Sequence, residues 1–129
     1  MTILLAYNWR SQSDKVLDYA IGYALAYGQP LYILSSITSK DAADSGDKLG
    51  QIKARLEAAK EKASKRGTVA STLIGIGPAT EEIIAAAERI NAEAIIVGHS
   101  DKTAIDRILM GTISEQVMRN ANRIVIVVQ

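Results

Sequence analysis

Hydrophobic positions along the chain gather into five short apolar runs, separated by longer stretches whose apolar residues recur at helical spacing. The runs are Ile3 to Tyr7, Leu31 to Leu34, Val69 to Ile74, Ala94 to Val97 and Ile124 to Val128. Most are continuously apolar and rich in Ile, Leu and Val, as parallel strands covered on both faces are. Val69 to Ile74 carries Ser71 and Thr72 in its middle and suits a sheet edge better than its centre.

The helical stretches have legible ends. Ser11 is placed to cap the first, whose stripe comprises Val16, Leu17, Ala20, Ile21, Ala24 and Leu25, and Gly28 followed by Pro30 stops it. The polar residues from Thr38 to Lys48 predict a mobile surface loop. A second helix sets Leu49, Ile52, Leu56, Ala59 and Ala63 on one face, pairs Glu61 with Lys65, and ends at Gly67. Gly77 and Pro78 open a third, with Ile83, Ile84, Ala87 and Ile90 turned inward. Thr112 and Glu115 have capping-box spacing for the last, which is expected to bury Ile113, Val117 and Met118.

Strand and helix alternating to the end require right-handed crossovers with helices on both faces of a parallel sheet. The expectation is an α/β fold: a single doubly wound domain over residues 1–129, with a five-stranded parallel sheet and four helices on both faces. In such sheets ligands bind beyond the carboxyl ends of the strands, where strand order reverses. That directs attention to Asn8 and Trp9, Ser35 to Thr38, Gly75 to Gly77, and Gly98 onward.

Composition narrows the function classes. Fifteen basic against fourteen acidic residues leave a net charge of +1, which gives no electrostatic reason for nucleic acid or an anionic membrane as partner. No apolar run approaches a membrane span, and no basic leader precedes an apolar stretch, so the cytoplasm is the expected address. Without cysteine there is no disulfide, thiolate metal site or cysteine nucleophile.

The segment from Gly98-His99-Ser100-Asp101 to Gly111-Thr112-Ile113-Ser114 is the most informative for chemistry. It leaves the fourth strand at one glycine and enters a helix at another, and a helix start offers N–H groups and a positive dipole end to phosphate. Gly75-Ile76-Gly77-Pro78-Ala79-Thr80 nearly matches a dinucleotide fingerprint, but Thr80 stands where Gly or Ala is needed, so a tight strand-to-helix turn is the better reading. His99 is the sole histidine and has no second ligand type beside it for a metal. Neither a nucleophile elbow nor a P-loop occurs.

The spacing Gly98, two residues, Asp101, nine residues, Gly111-Thr112 resembles the G-x2-G-x9-G-[ST] motif of ATP-binding universal stress proteins, with the second glycine replaced. Ile108 to Glu115 is similar to that family's Leu-Leu-Leu-Gly-Ser-Val-Ser-Glu run, and the Gly77-Pro78-Ala79 turn and the closing strand from Arg123 match too. The resemblance covers essentially the whole chain and implies the strand order 3-2-1-4-5. It also implies an adenine-nucleotide site (ATP, ADP or AMP, with or without magnesium) formed by Asn8, Ser36, Gly98, Asp101, Gly111, Thr112 and Ser114. Three of these depart from the family pattern. Asn8 stands where an aspartate usually reads the adenine edge, and Ser36, next to Ile37, where a valine usually lines the pocket. Asp101 puts a charged side chain where backbone should approach phosphate. Arg107 falls where the family commonly has a basic residue, and Trp9 replaces a small one.

Two main readings follow. One is a nucleotide-binding regulatory or stress-response module that is not an enzyme, with ATP hydrolysis at most slow or incidental. The other is a ligand-free dimeric interaction protein. A small nucleotide-using enzyme on this fold ranks last, because the histidine pair of nucleotidyltransferases and the Ser-Gly-Gly loop of pyrophosphatase-type relatives are both missing. In the main readings the resemblance implies a homodimer through Ile124 to Val128, paired antiparallel across a two-fold axis. That strand has no proline or inward charge to protect its edge.

Overall fold

The computed structural model describes residues 1–9, 14–44, 46–98 and 112–129. Five strands form one parallel sheet in the order β3-β2-β1-β4-β5: β1 Thr2–Ala6, β2 Leu31–Ile37, β3 Ala70–Ile76, β4 Ala92–Gly98 and β5 Ile124–Val128. The helices among the described residues are α1 Lys15–Tyr27, α2 Ser39–Ala43, α3 Asp47–Lys65, α4 Ala79–Arg89 and α5 Ile113–Asn120. The parallel α/β architecture and strand order agree with the sequence expectation.

The sheet has a core on each face. One joins Ile3, Leu5, Ile33 and Ile96 to Leu17 and Ile21 of α1 and Ile52 and Leu56 of α3. The other joins Leu4, Leu34, Ile95 and Val97 to Ile83 of α4 and Val117 of α5. Alternation along each strand sends odd and even positions of β1 and β2 to opposite cores. With β1 and β4 buried on both faces, only β3 and β5 are edges, and Ser71 is exposed as an edge strand allows.

Several expectations are corrected. The polar stretch after β2 is not a continuous loop. Thr38 accepts a hydrogen bond from the Asp41 N–H at 3.1 Å and caps α2, and α3 already begins at Asp47. The helix count among the described residues is therefore five rather than four. Leu25 and Met118 were expected inside but are 41% and 51% exposed. On α5 the inward row is Ser114, Val117 and Ala121, three and four residues apart, and it turns Met118 out. β2 runs on through Ser35 and Ser36 to Ile37 because the buried Ser35 hydroxyl finds an acceptor in the Tyr7 carbonyl at 2.7 Å. The proposed Ser11 cap lies outside the described residues; Asp14 precedes α1 without a side-chain capping bond.

Candidate functional site

The chain passes from β1 to β2 on one side and returns to β4 on the other, so strand order reverses between β1 and β4. Above their carboxyl ends lie Tyr7, Asn8 and Trp9 on one side and Gly98 on the other. Tyr7 continues the β1 ladder, donating its N–H to the Leu34 carbonyl at 2.7 Å. The Ser35 hydroxyl on the Tyr7 carbonyl then ties the exits of β1 and β2 together. Asn8 is exposed and Trp9 packs partly against the α1-side core.

Ser36 lies opposite Gly75 of β3 and, by alternation, on the sheet face that carries α4 and α5. The start of α5 is on that face. Thr112 Oγ1 accepts from the Glu115 N–H at 3.1 Å, which supplies the expected cap, and lies 3.0 Å from Ser114 Oγ. Both residues are almost fully buried, so their hydroxyls organise the helix start from inside. The first-turn N–H groups of Ile113 and Ser114 precede the intrahelical ladder and are the donors that such an end offers a ligand. Thr80 of α4 donates to Gln116 of α5 at 2.6 Å and locks the two helix starts side by side.

The glycines divide by role. A Cβ on Gly98 would meet Val16 Cγ2 at 2.9 Å, so α1 packs on this strand end only because no side chain stands there. Gly75 has the same relation to Glu82, at 2.8 Å, and Gly77 turns the chain at φ 145° beneath that glutamate. The near-dinucleotide motif is thus a tight strand-to-helix turn. Asp101, Gly111, His99 and Arg107 lie outside the described residues. Of the sequence-predicted site, the fold gathers Asn8, Ser36, Gly98, Thr112 and Ser114 at one end of the sheet.

Beside this end is a polar cluster that sequence reading missed. The buried Tyr7 hydroxyl donates to Asp14 Oδ1 at 3.2 Å and accepts from Arg55 Nη2 at 3.2 Å, and the Arg55 guanidinium carbon lies 5.9 Å from the ring centroid. Lys62 reaches Asp18 at 2.8 Å and Asp14 at 3.7 Å. The cluster fastens α3 to the start of α1, just past Asn8 and Trp9. Burial, followed by the Asp14 charge, raises the Tyr7 phenol above its ordinary 10.0 despite the opposing pull of Arg55. A group held protonated in the fold contributes stability below pH 10 that is lost as pH climbs through its raised folded value. Tyr7→Phe should therefore flatten the alkaline fall in stability above pH 10, measured by urea denaturation at stepped pH. An unchanged slope would mean that Tyr7 does not titrate with unfolding.

A depression of about 610 Å³ lies elsewhere. It lies beyond the amino ends of β4 and β5 against Met1, Asn91, Met118 and Ile124, and Arg123 at its border is already bonded to the Ala92 carbonyl at 2.7 Å. The reversal of strand order argues for the opposite end. No helix among the described residues is long and apolar enough to cross a membrane, and none of their His, Asp or Glu side chains cluster in threes as a metal site would need.

A sequence model described as the universal stress protein family matches residues 1–129. A universal stress protein of Methanocaldococcus jannaschii is 35% identical over 74 residues, 57% of this chain and 44% of that protein. The match thus spans less than half the length of this relative. Among solved structures, a universal stress protein in complex with cAMP has a TM-score of 0.82 at 21% identity, covering 100% of this chain and 96% of the other. One from Archaeoglobus fulgidus in complex with dAMP has a TM-score of 0.80 at 23% identity, covering 100% and 98%. At those identities the likeness establishes the fold.

Proposed function

The chain belongs to the universal stress protein family, and from that premise we propose that it binds an adenine nucleotide at the carboxyl end of its sheet as a regulatory or stress-response module. The observation that carries the reading is the capped start of α5 beside the reversal of strand order, an arrangement suited to phosphate. Relatives of this fold are described in complex with cAMP and dAMP, which supports the adenine class. Asn8 offers both a donor and an acceptor to a base edge, and Ser36 a hydroxyl nearby. The Ile113 and Ser114 N–H groups serve the phosphates, next to backbone at Gly98. Asp101 and Gly111 complete the spaced motif in sequence, and magnesium enters through the Asp101 carboxylate if it enters at all. The sequence offers no evident catalytic general base, so the reading takes ATP hydrolysis to be slow or incidental. The protein acts in the cytoplasm and pairs as a homodimer through β5.

A ligand-free dimeric interaction protein is the second reading. It is favoured by Asn8, Ser36 and Asp101, and by Gly98, whose absent side chain Val16 already accounts for. Mass spectrometry of the natively purified protein after denaturation, together with melting curves in ATP, separates the two. Binding predicts a released adenine nucleotide, or a gain of about 2.7 kcal/mol in stability at a hundredfold excess over Kd. Neither signal at millimolar ATP establishes the ligand-free reading instead.

A further inference from the structure

We propose that Glu82 selects the base in the nucleotide site, accepting a hydrogen bond from the exocyclic amine of a 6-aminopurine and rejecting a 6-oxopurine. The inference rests on the nucleotide reading proposed above and deepens it, because it gives that site a residue that reads the base.

Glu82 stands in the first turn of α4, just past the carboxyl end of β3. Its side chain folds down over the strand exit. A Cβ on Gly75 would meet Glu82 Cβ at 2.8 Å and Oε1 at 2.9 Å, and one on Gly77 would meet Oε2 at 3.3 Å. Any side chain at position 75 would therefore take the space that the glutamate now fills. Glycine inside a strand weakens it, and here the close approach of Glu82 accounts for its presence. The side chain is only partly buried, and no described residue donates a hydrogen bond to its carboxylate or pairs with it. Stabilisation of the helix dipole does not explain the arrangement. Exposed Glu81 supplies the same charge to that turn without a glycine beneath it.

Ser36 is the neighbour of this carboxylate. Ser36 and Gly75 are register partners, so their side-chain directions share one face of the sheet, the face that carries α4 and α5. Glu82 fills the Gly75 position on that face, one strand spacing, about 4.8 Å, from the Ser36 position. A carboxylate and a hydroxyl thus stand side by side at the carboxyl ends of β3 and β2.

Distance decides which part of a nucleotide reaches them. Gly98 on β4 and Gly75 on β3 are three strand spacings apart, about 14 Å. A nucleotide with its phosphates at Gly98 and the start of α5 therefore turns its far end, the base, toward Ser36 and Glu82. An ionised carboxylate only accepts hydrogen bonds, whereas the Ser36 hydroxyl both donates and accepts. The amine of a 6-aminopurine donates to Glu82. The carbonyl of a 6-oxopurine sets oxygen against oxygen with no proton between them. Discrimination accordingly falls to Glu82 and not to Ser36.

Calorimetric titration of the full chain with ATP and with inosine triphosphate, its 6-oxo counterpart, tests the proposal. The parent should favour ATP by at least about 100-fold. Glu82→Gln keeps the shape over Gly75, but its amide can donate to a carbonyl, so the preference should narrow by about tenfold or more. Both ligands carry the same ribose and phosphates, so the ratio is insensitive to the net charge removed. Glu81→Gln deletes the same charge one residue earlier and should leave the ratio at the parent's value. Glu82→Ala, which relieves the crowding over Gly75, should narrow the ratio as the glutamine variant does. A parent that binds both nucleotides equally, or Glu82 variants that keep its ratio, overturns the role of Glu82 while nucleotide binding stands. Equal narrowing by Glu81→Gln overturns it too. A parent that binds neither nucleotide at millimolar concentration overturns the site reading, and this proposal with it.

Discussion

Replacing Gly98 with alanine should lower stability by about 1–3 kcal/mol, the usual range for forcing extra volume into a packed interior. Shortening Val16 to alanine in the same chain should recover most of that loss. The added Cβ would stand 2.9 Å from Val16 Cγ2, closer than side-chain carbons tolerate. Relief by backbone movement is restricted, because β4 is paired with β1 up to Val97 and with β5 up to Gly98 itself. Val16→Ala alone removes two partly buried methyl groups and should cost about 1 kcal/mol. The double variant should then be more stable than the two losses added together, with a coupling of about 0.5–3 kcal/mol in urea denaturation. Strict additivity would show that α1 is not what demands glycine here. The same variant isolates the ligand role. If backbone at position 98 must also approach a phosphate, the rescued double variant will fold normally and bind ATP more weakly than the parent.

The packing demand on Gly98 illustrates what a sequence makes legible and what it hides. Ile3 to Leu5 and Ile95 to Val97 announce central strands because both faces of each are buried and every residue is apolar. Strand ends were read too short where a polar residue continues the ladder. Ser35 looks like a terminator, yet its hydroxyl is satisfied by a carbonyl on the neighbouring strand, 28 positions away. α2 was missed because it buries nothing, so it has no periodicity, and its only local signal is Thr38 three residues before Asp41. Met118 misled for the opposite reason, since an apolar side chain can sit on the outer face of a short helix. The Tyr7–Arg55 contact joins positions 48 apart and leaves no trace in local spacing. The candidate site is marked in the sequence by a spaced motif and in the fold by an end of the sheet. The packing roles of Gly98 and Thr112 became visible only with the neighbours they touch.

Asp101→Gly should tighten ATP binding by roughly one to two orders of magnitude if the spaced motif holds a nucleotide. The residue occupies the motif's second glycine position in sequence and lies outside the described residues, so the expectation rests on charge alone. At about 5 Å from a phosphate, a carboxylate repels each negative charge by about 1 to 3 kcal/mol between bulk water and an effective dielectric near 20. Each 1.4 kcal/mol is about tenfold in affinity. Magnesium reverses the sign, because a hard cation draws carboxylate and phosphate oxygens into one coordination shell. Calorimetric titration of parent and variant, each with magnesium and with chelator, separates the cases. Tighter binding by the variant in both conditions means that the aspartate opposes the nucleotide. Weaker binding only with magnesium means that it holds the metal. If neither protein binds at millimolar ATP, both versions fail, and the ligand-free reading as an interaction module takes their place.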